Sequence, residues 1–299
     1  MRILVAATLL ASLAAPAAAA ADDDGWHPMP DAGYVFTDGD RLAAWMLDAG
    51  TARVRTRGVS WDLDIAPDCA GARLLAAGGG RLLLECSGDE TYRVMDIATG
   101  AAARTPDLPF TGDEVQPFDV GAEWLAVSVT DEEADSSYTG YVRLDGSEAR
   151  RDDGGRDVVP DLDVPSLLQP MCEPLRRRVT GRAADGYAPY VYAPPLGLTH
   201  RGHDRSELVL ERCGRRSVEL AACRGLFACA NPALTPSHVA WSANRGTFLH
   251  DARTGVTRRW RSPEGKRNVA VALTRHRLYV SYRTAVHGPS ASFRRLGRP

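Results

Sequence analysis

The chain has 299 residues, of which 44% are hydrophobic and 25% are charged, and its formal net charge is −2. These fractions are typical of a globular protein and argue against a disordered or fibrous chain. The chain is long enough to bury a large hydrophobic core.

The N-terminus has the pattern of a signal peptide in residues 1–20. An early positive charge is followed by an apolar run from Ile3 to Leu13, and Ala18 and Ala20 place small residues at positions −3 and −1. The run is shorter than the roughly 20 residues that a membrane helix needs, and no later run reaches that length. We therefore expect no membrane span, a mature domain of residues 21–299 and a secreted or extracytoplasmic protein.

Six cysteines in an exported chain predict disulfides. Two similar strand-like segments contain Cys86 and Cys213, and each has one unassigned cysteine upstream. The sequence therefore favours the pairs Cys69–Cys86, Cys172–Cys213 and Cys223–Cys229. An alternative joins Cys213 to Cys223 and Cys172 to Cys229. No CxxC pair occurs, which argues against a zinc site.

Short strand-like runs separated by turn residues recur along the mature chain, without long helical periodicity. The clearest unit runs from Ala72 to Arg104, and a second copy runs from Val239 to Trp260. In both copies a strand ends in Asp and is followed by a Thr-Gly turn, at Asp96–Gly100 and Asp251–Gly255. Glycine suits such a turn because it accepts a positive φ.

Units of 40–50 residues with four short strands predict a β-propeller. We count six units, at residues 33–65, 66–110, 115–155, 160–222, 224–263 and 265–298. A count of five or seven units remains open. The fourth unit is interpreted as a longer copy with an insertion around residues 187–204. The last unit lacks an outer strand, which residues 25–29 are expected to supply.

The Asp-x-x-Thr-Gly pattern at Asp96 and Asp251 resembles that of exported bacterial propellers of the TolB-like and WD40-like kind. The Trp-Asp dipeptide of true WD40 blades occurs once, at Trp61-Asp62, without periodicity. The resemblance implies a propeller fold and a binding role, and it implies no catalytic residues.

Charge is divided unequally between the two halves of the mature chain. Residues 21–163 carry 30 acidic and 12 basic side chains, whereas residues 164–299 carry 8 acidic and 23 basic ones. Two readings stay open: the halves neutralise each other within one domain, or they favour weak, salt-sensitive self-association.

Two sets of side chains are weak candidates for ligand sites. His200, His203 and Asp204 offer ligands for zinc, but the stretch is interpreted as a surface loop, so no metal is expected. A basic set interleaved with Trp260 and Phe293 is suited to binding anions. Its members are Arg258, Arg259, Arg261, Arg294 and Arg295.

No motif for nucleophilic catalysis and no phosphate-binding loop is found. We therefore expect a non-catalytic binding or scaffold module without a cofactor, whose partner is an unknown protein or envelope ligand. Nucleic acid is not expected as a partner of an exported protein. The alternative is a propeller-type enzyme, a hydrolase or lyase that acts on carbohydrate.

Overall fold

The computed structural model describes residues 25–38, 41–56, 59–88, 91–131, 136–152, 191–193, 196–201, 205–212, 218–224, 232–243, 246–284 and 288–296. The signal peptide predicted in residues 1–20 lies outside these ranges. No helix in the described part of the chain has the length and apolar character needed to cross a membrane.

The described residues form 24 strands in six antiparallel sheets of four strands each. The first strand, β1 (Trp26–Met29), belongs to the last sheet. Sheet 1 contains β2 (Phe36–Asp38), β3 (Leu42–Met46), β4 (Thr51–Arg55) and β5 (Ser60–Asp64). Sheet 2 contains β6 (Ala72–Gly78), β7 (Arg81–Cys86), β8 (Thr91–Asp96) and β9 (Ala102–Arg104). Sheet 3 contains β10 (Glu114–Val120), β11 (Trp124–Asp131), β12 (Ser136–Arg143) and β13 (Ala149–Asp152).

The second half of the chain repeats this organisation. Sheet 4 contains β14 (Val191–Ala193), β15 (Leu196–Arg201), β16 (Arg205–Arg212) and β17 (Val218–Arg224). Sheet 5 contains β18 (Ala233–Leu234), β19 (His238–Ala243), β20 (Gly246–Asp251) and β21 (Thr257–Arg261). Sheet 6 contains β22 (Lys266–Thr274), β23 (Arg277–Thr284) and β24 (Ser290–Arg295), with β1 outermost.

The all-β class and the four-stranded units are therefore confirmed. The pairing of β1 with β24 is also confirmed, and it places His27 opposite Phe293. The first strands of neighbouring sheets contact each other from β22 through β2 and β6 to β10, and from β14 through β18 to β22. Closure of these sheets into one ring of six blades stays a prediction.

Two details of the fourth unit were wrong. The segment interpreted as an insertion, residues 187–204, contains β14 and β15, which are the first two strands of sheet 4. His200, placed in a loop by the sequence, lies in β15 opposite Leu208. Positions 194 and 195, both proline, fall between the ends of these two strands and lie outside the described residues, so prolines there do not exclude strands on either side.

The core consists of apolar seams between consecutive sheets, because most sheets are buried on both faces. Leu82 and Leu84 pack in the seam between sheets 1 and 2, whereas Leu83 packs in the seam between sheets 2 and 3. Side chains alternate between the faces of a strand, so an uninterrupted apolar run feeds two seams at once. In the same way, Val239 and Trp241 face sheet 4 and Ala240 faces sheet 6.

The predicted Cys69–Cys86 disulfide is confirmed. It joins the connection between sheets 1 and 2 to the end of β7, and both cysteines are buried. Cys172, Cys213 and Cys229 lie outside the described residues, and only the backbone of Cys223, in β17, is described. The other two pairs stay predictions.

The repeated Asp and Thr-Gly pattern forms the turn between the third and fourth strands of a sheet. In sheet 2 the Oδ1 atom of Asp96 accepts hydrogen bonds from the amides of Ala98 and Thr99 at 3.0 and 2.9 Å. These bonds hold the pKa of Asp96 below its ordinary value. Asp251 caps the matching turn of sheet 5 through the amide of Arg253 at 2.8 Å. The motif is therefore structural in both sheets.

The hairpin between β6 and β7 depends on two glycines with different surroundings. Gly79 and Gly80 have φ of +58° and +76°, and a two-residue turn of type I′ requires positive φ at both positions. A Cβ atom on Gly79 would lie 2.0 Å from the amide nitrogen of Ala122 in the next sheet, whereas one on Gly80 would meet nothing within 4 Å.

We expect Gly79→Ala to destabilise the protein far more than Gly80→Ala. Both variants place alanine at a positive φ, which costs about 1 kcal/mol. Gly79→Ala also forces two hairpins apart, so we expect a total loss of about 3 kcal/mol or more. Urea unfolding of both variants measures the difference, and equal losses would contradict the close approach of the hairpins.

Candidate anion-binding site

Several arginines of sheets 1–3 pair with carboxylates, and two of these, Arg143 and Arg150, also lie over the ring of Trp124 at 5.4 and 5.5 Å. Four of them form ion pairs with an acid in the same sheet or its hairpin. These pairs are Arg53–Asp62, Arg73–Glu85, Arg143–Glu123 and Arg150–Glu148. The Arg53 pair is bidentate, with distances of 2.6 and 2.8 Å. Exposed pairs of this kind add little stability, but they leave no excess positive charge at these positions.

Three arginines of sheets 5 and 6 lie on aromatic rings. The guanidinium carbon of Arg259 is 5.4 Å from the ring centre of Phe248, that of Arg294 is 5.0 Å from Trp260, and that of Arg277 is 5.0 Å from Phe293. A ring face attracts a cation and holds it in place without cancelling its charge. No carboxylate of the described residues forms an ion pair with any of these three arginines. Arg253 in sheet 5 differs, since it lies 3.7 Å from Asp251.

These three stacked arginines belong to three consecutive seams. Phe248 packs in the seam between sheets 4 and 5. Trp260 packs between sheets 5 and 6, where it meets Trp26 edge-on at 5.9 Å. Phe293 packs between sheets 6 and 1. The side chains form a basic surface along these seams, which we define as Arg259, Arg277 and Arg294 with their rings.

The Phe293 ring gathers the densest group of positive charge. Arg277 and Arg295 are direct partners on β23 and β24, and Arg55 at the end of β4 reaches the same ring from sheet 1, at 5.4 Å. His27 stacks on Phe293 with ring centres 4.9 Å apart, at an angle of 28°. We define the Phe293 cluster as Arg55, Arg277 and Arg295 around this ring.

Arg55 is the least favourably placed of these side chains. Its Nε atom is buried and has no hydrogen-bond partner among the described residues. Burial lowers the pKa of Arg55, and the charges of Arg277 and Arg295 lower it further, while Tyr279 acts in the opposite direction. A buried donor left without a partner costs about 1–3 kcal/mol. The Nη1 atom of Arg294, which lies on Trp260, is likewise buried and has no hydrogen-bond partner among the described residues.

The structure divides the basic set that the sequence picked out. Arg259 and Arg294 lie in different seams, and Arg295 belongs to the Phe293 cluster. Arg258 is exposed on the other face of β21 from Arg259, which shares its face with Arg261 because side chains alternate. The sequence missed Arg55 and Arg277, since only strand pairing and sheet contact bring them to Phe293.

A carboxyl pair lies on a different part of the molecule, at the hairpins of sheets 1–3. The Oδ2 atom of Asp38 accepts a hydrogen bond from the amide of Gly80 at 2.7 Å. Asp119, at the irregular end of β10, accepts one from the amide of Val120 at 2.9 Å. Burial raises the pKa of Asp119 to about 6, and the nearby charge of Asp38 adds to the rise. Neither aspartate was singled out by the sequence analysis.

The metal candidates of the sequence analysis are only partly placed. His200 lies in β15, while His203 and Asp204 fall outside the described residues. Within the described ranges, no group of three or more His, Cys, Asp or Glu side chains is arranged to hold a metal ion.

Comparison with known proteins gives similarity in fold only. No family model and no curated protein matches the chain. Among solved structures, the β-propeller domain of Cps50 (Swd1) from Myceliophteria thermophila is 11% identical, with a TM-score of 0.46, and the match covers 89% of this chain and 98% of that one. Regucalcin from Agrobacterium tumefaciens, a calcium-binding protein, is 12% identical, with a TM-score of 0.45 and coverage of 92% and 95%. The propeller of the Trilobed protease from Pyrococcus furiosus is 6% identical, with a TM-score of 0.36 and coverage of 85% and 79%.

We expect the protein to become more stable as the pH falls from 7 to about 4. The raised pKa of Asp119 means that the folded state holds the proton of this carboxyl more tightly than the unfolded state does. Ionisation of Asp119 above pH 6 therefore lowers the free energy of unfolding, and protonation at lower pH restores it. This loss is at most about 3 kcal/mol. Asp119→Asn keeps an acceptor for the amide of Val120 and removes the charge.

Urea unfolding at several pH values measures this effect. The Asn variant is expected to exceed the wild type in stability at pH 7 and to match it near pH 4. Asp145→Asn is a suitable control, because hydrogen bonds from Ser147 lower the pKa of Asp145, which gives the opposite dependence on pH. A wild-type protein whose stability falls steadily between pH 7 and 5, with no change in Asp119→Asn, would contradict the assignment.

Proposed function

We propose that the protein is an exported, non-catalytic β-propeller module that binds an anionic partner in the extracytoplasmic space. One observation carries the proposal: three arginines of sheets 5 and 6 are held on aromatic rings without a carboxylate partner among the described residues, whereas four arginines of sheets 1–3 pair with acids. The three are Arg259, Arg277 and Arg294, and the four are Arg53, Arg73, Arg143 and Arg150. The proposal of export rests on the sequence of residues 1–20.

The difference between the paired arginines of sheets 1–3 and the stacked arginines of sheets 5 and 6 matters because the chain contains acids that pair with arginines elsewhere. A basic surface that served only solubility would tolerate intrachain ion pairs, as sheets 1–3 do. Stacking instead fixes each guanidinium group while its hydrogen-bond donors stay available to a bound group. Two buried nitrogen atoms without a hydrogen-bond partner among the described residues, Nε of Arg55 and Nη1 of Arg294, add to this argument. The partner is therefore an envelope polymer or a protein with an acidic surface.

The fold part of the proposal is a single propeller of six blades. It is supported by six four-stranded sheets of the described residues and by the contacts between their first strands. Sheet 6 combines β1 with the last three strands, so both ends of the domain meet in one blade. In this arrangement the seams lie side by side, and each of the three seams from sheet 4 to sheet 1 carries one arginine of the basic surface.

We expect the protein to bind dextran sulfate and not neutral dextran. Anions released from arginines and cations released from the polymer make such binding depend on salt, so affinity is expected to fall at least about tenfold between about 50 and 200 mM salt. Arg259→Gln with Arg294→Gln is expected to weaken binding strongly. Isothermal titration calorimetry on the chain from residue 21 measures these affinities.

Arg53→Gln with Arg73→Gln provides the matched control. It removes the same charge from sheets 1 and 2, where each arginine is already paired with an acid. An equal loss of affinity in both double variants would show that net charge alone drives binding. That result, or the absence of any binding at low salt, would overturn the proposal.

The carboxyl pair of Asp38 and Asp119 favours a second candidate, a propeller-type enzyme acting on carbohydrate. An acid with a pKa of about 6 near a second carboxylate from another sheet is suited to proton transfer. If the protein is such an enzyme, we expect it to release reducing ends or unsaturated products from polysaccharides. The rate of this release is expected to fall at least about hundredfold in Asp119→Asn. If the protein is a binding module, we expect no turnover in the wild type or in Asp119→Asn.

A further inference from the structure

We propose that the Phe293 cluster is a binding site for a tetrahedral oxyanion, the phosphate or sulfate group of a ligand. The inference deepens the proposed function, on whose anion binding it rests, by naming a small-ligand chemistry and the residues that recognise it. Arg55 from sheet 1 and the pair Arg277 and Arg295 from sheet 6 form the site, with Phe293 beneath them.

The arrangement is unfavourable when the site is empty. Arg277 and Arg295 stand directly opposite each other on neighbouring strands, and like charges in such pairs destabilise a sheet. Arg55 brings a third positive charge into the same region, and its pKa responds to both neighbours. No acid among the described residues forms an ion pair with the three arginines. A bound oxyanion reduces this repulsion.

The number and direction of the donors select the ligand. Three guanidinium groups come from three strands of two sheets, and each presents several N–H groups in a planar fork. A carboxylate has two oxygens in one plane, so it engages one or two such forks. A phosphate or sulfate group has oxygens in several directions, so it can engage all three, and a phosphate monoester also carries a larger charge of about −1.5 to −2. The buried Nε atom of Arg55 supplies a donor that has no partner within the described chain.

Phe293 fixes the geometry of the site. The centre of its ring is 5.4 Å from the guanidinium carbon of Arg55 and 5.0 Å from that of Arg277, and the ring packs against His27 at 4.9 Å and Tyr279 at 6.1 Å. A rigid aromatic base lowers the entropy that the arginines lose on binding. Arg295 is exposed, which leaves the cluster open to a ligand from solvent.

Binding at this place ties together the sheets that carry the two ends of the domain. Sheet 6 contains β1 and β24, and its seam with sheet 1 holds Met29, Trp45 and Tyr279. A ligand that contacts Arg55 on one sheet and Arg277 on the other stabilises this seam. Binding to the folded state alone raises the unfolding temperature, and the rise continues with the logarithm of the ligand concentration above Kd.

The test combines calorimetry and thermal unfolding of the chain from residue 21, in buffers of equal ionic strength. Inorganic phosphate and sulfate are expected to bind and to raise the melting temperature, whereas acetate and chloride have a much smaller effect. Arg55→Gln and Arg277→Gln are each expected to weaken phosphate binding at least about tenfold, which corresponds to about 1.4 kcal/mol.

The same variants separate a binding role from a structural one. In buffer without phosphate or sulfate, each is expected to unfold at the same temperature as the wild type or higher, because one of three like charges is gone. Lower melting temperatures, with phosphate binding unchanged, would overturn the proposal. Arg258→Gln, which removes an exposed arginine of sheet 5, is the control and is expected to bind phosphate as the wild type does.

Two further comparisons complete the test. A phosphorylated dextran that binds more tightly than inorganic phosphate, and loses this advantage in Arg55→Gln, identifies the site as one for a phosphate ester on a polymer; equal affinities identify the free ion. The variant with both Arg259→Gln and Arg294→Gln keeps its phosphate site if the inference is correct. The same double variant loses dextran sulfate binding if the proposed function is correct. Failure of the phosphate site is therefore distinguishable from failure of the proposed function.

Discussion

Packing across the seams between neighbouring sheets is the interaction on which the rest of the structure depends. Sheet 2 illustrates it, because Leu82 and Leu84 are buried against sheet 1 while Leu83 is buried against sheet 3. Burial of one such side chain contributes about 1.5–3 kcal/mol, and each strand repeats it on both faces. No sheet is therefore stable as an isolated unit, and the position of each is set by its two neighbours.

The same packing explains where the basic side chains lie. Apolar residues fill the middle of each seam, so long side chains at the ends of strands extend along its margin. At the seam of sheets 6 and 1, Arg55 ends β4, Arg277 begins β23 and Arg295 ends β24. Close contact of the two sheets thus brings Arg55 and Arg277 to one aromatic ring, with Arg295 opposite Arg277 on the neighbouring strand. Their mutual repulsion is a local cost that the large apolar seam tolerates.

The unequal distribution of charge along the chain has a structural counterpart. In sheets 1–3 carboxylates stand beside arginines on adjacent strands, as in the pair of Arg53 and Asp62. Sheets 5 and 6 contain few acids, and there aromatic rings hold the arginines instead. Asp119 is a separate exception, since burial and the nearby charge of Asp38 raise its pKa to about 6. Both features are departures from local neutrality, and both are therefore candidates for function.

The sequence by itself determined the properties that depend on near neighbours. The strand runs, the Asp and Thr-Gly turns, the bond between Cys69 and Cys86 and the supply of an outer strand by residues 25–29 were all predicted, because short-range patterns specify them. Pro194-Pro195 misled the prediction for sheet 4, because the sequence does not distinguish a proline in the connection between two strands from a proline that interrupts a strand. Tertiary structure decided the Phe293 cluster. Arg55 and Phe293 are 238 positions apart in the chain, and only the contact of two sheets brings them together. Whether an arginine is neutralised by a carboxylate or stacked on a ring depends on distances between strands, which the order of residues does not contain.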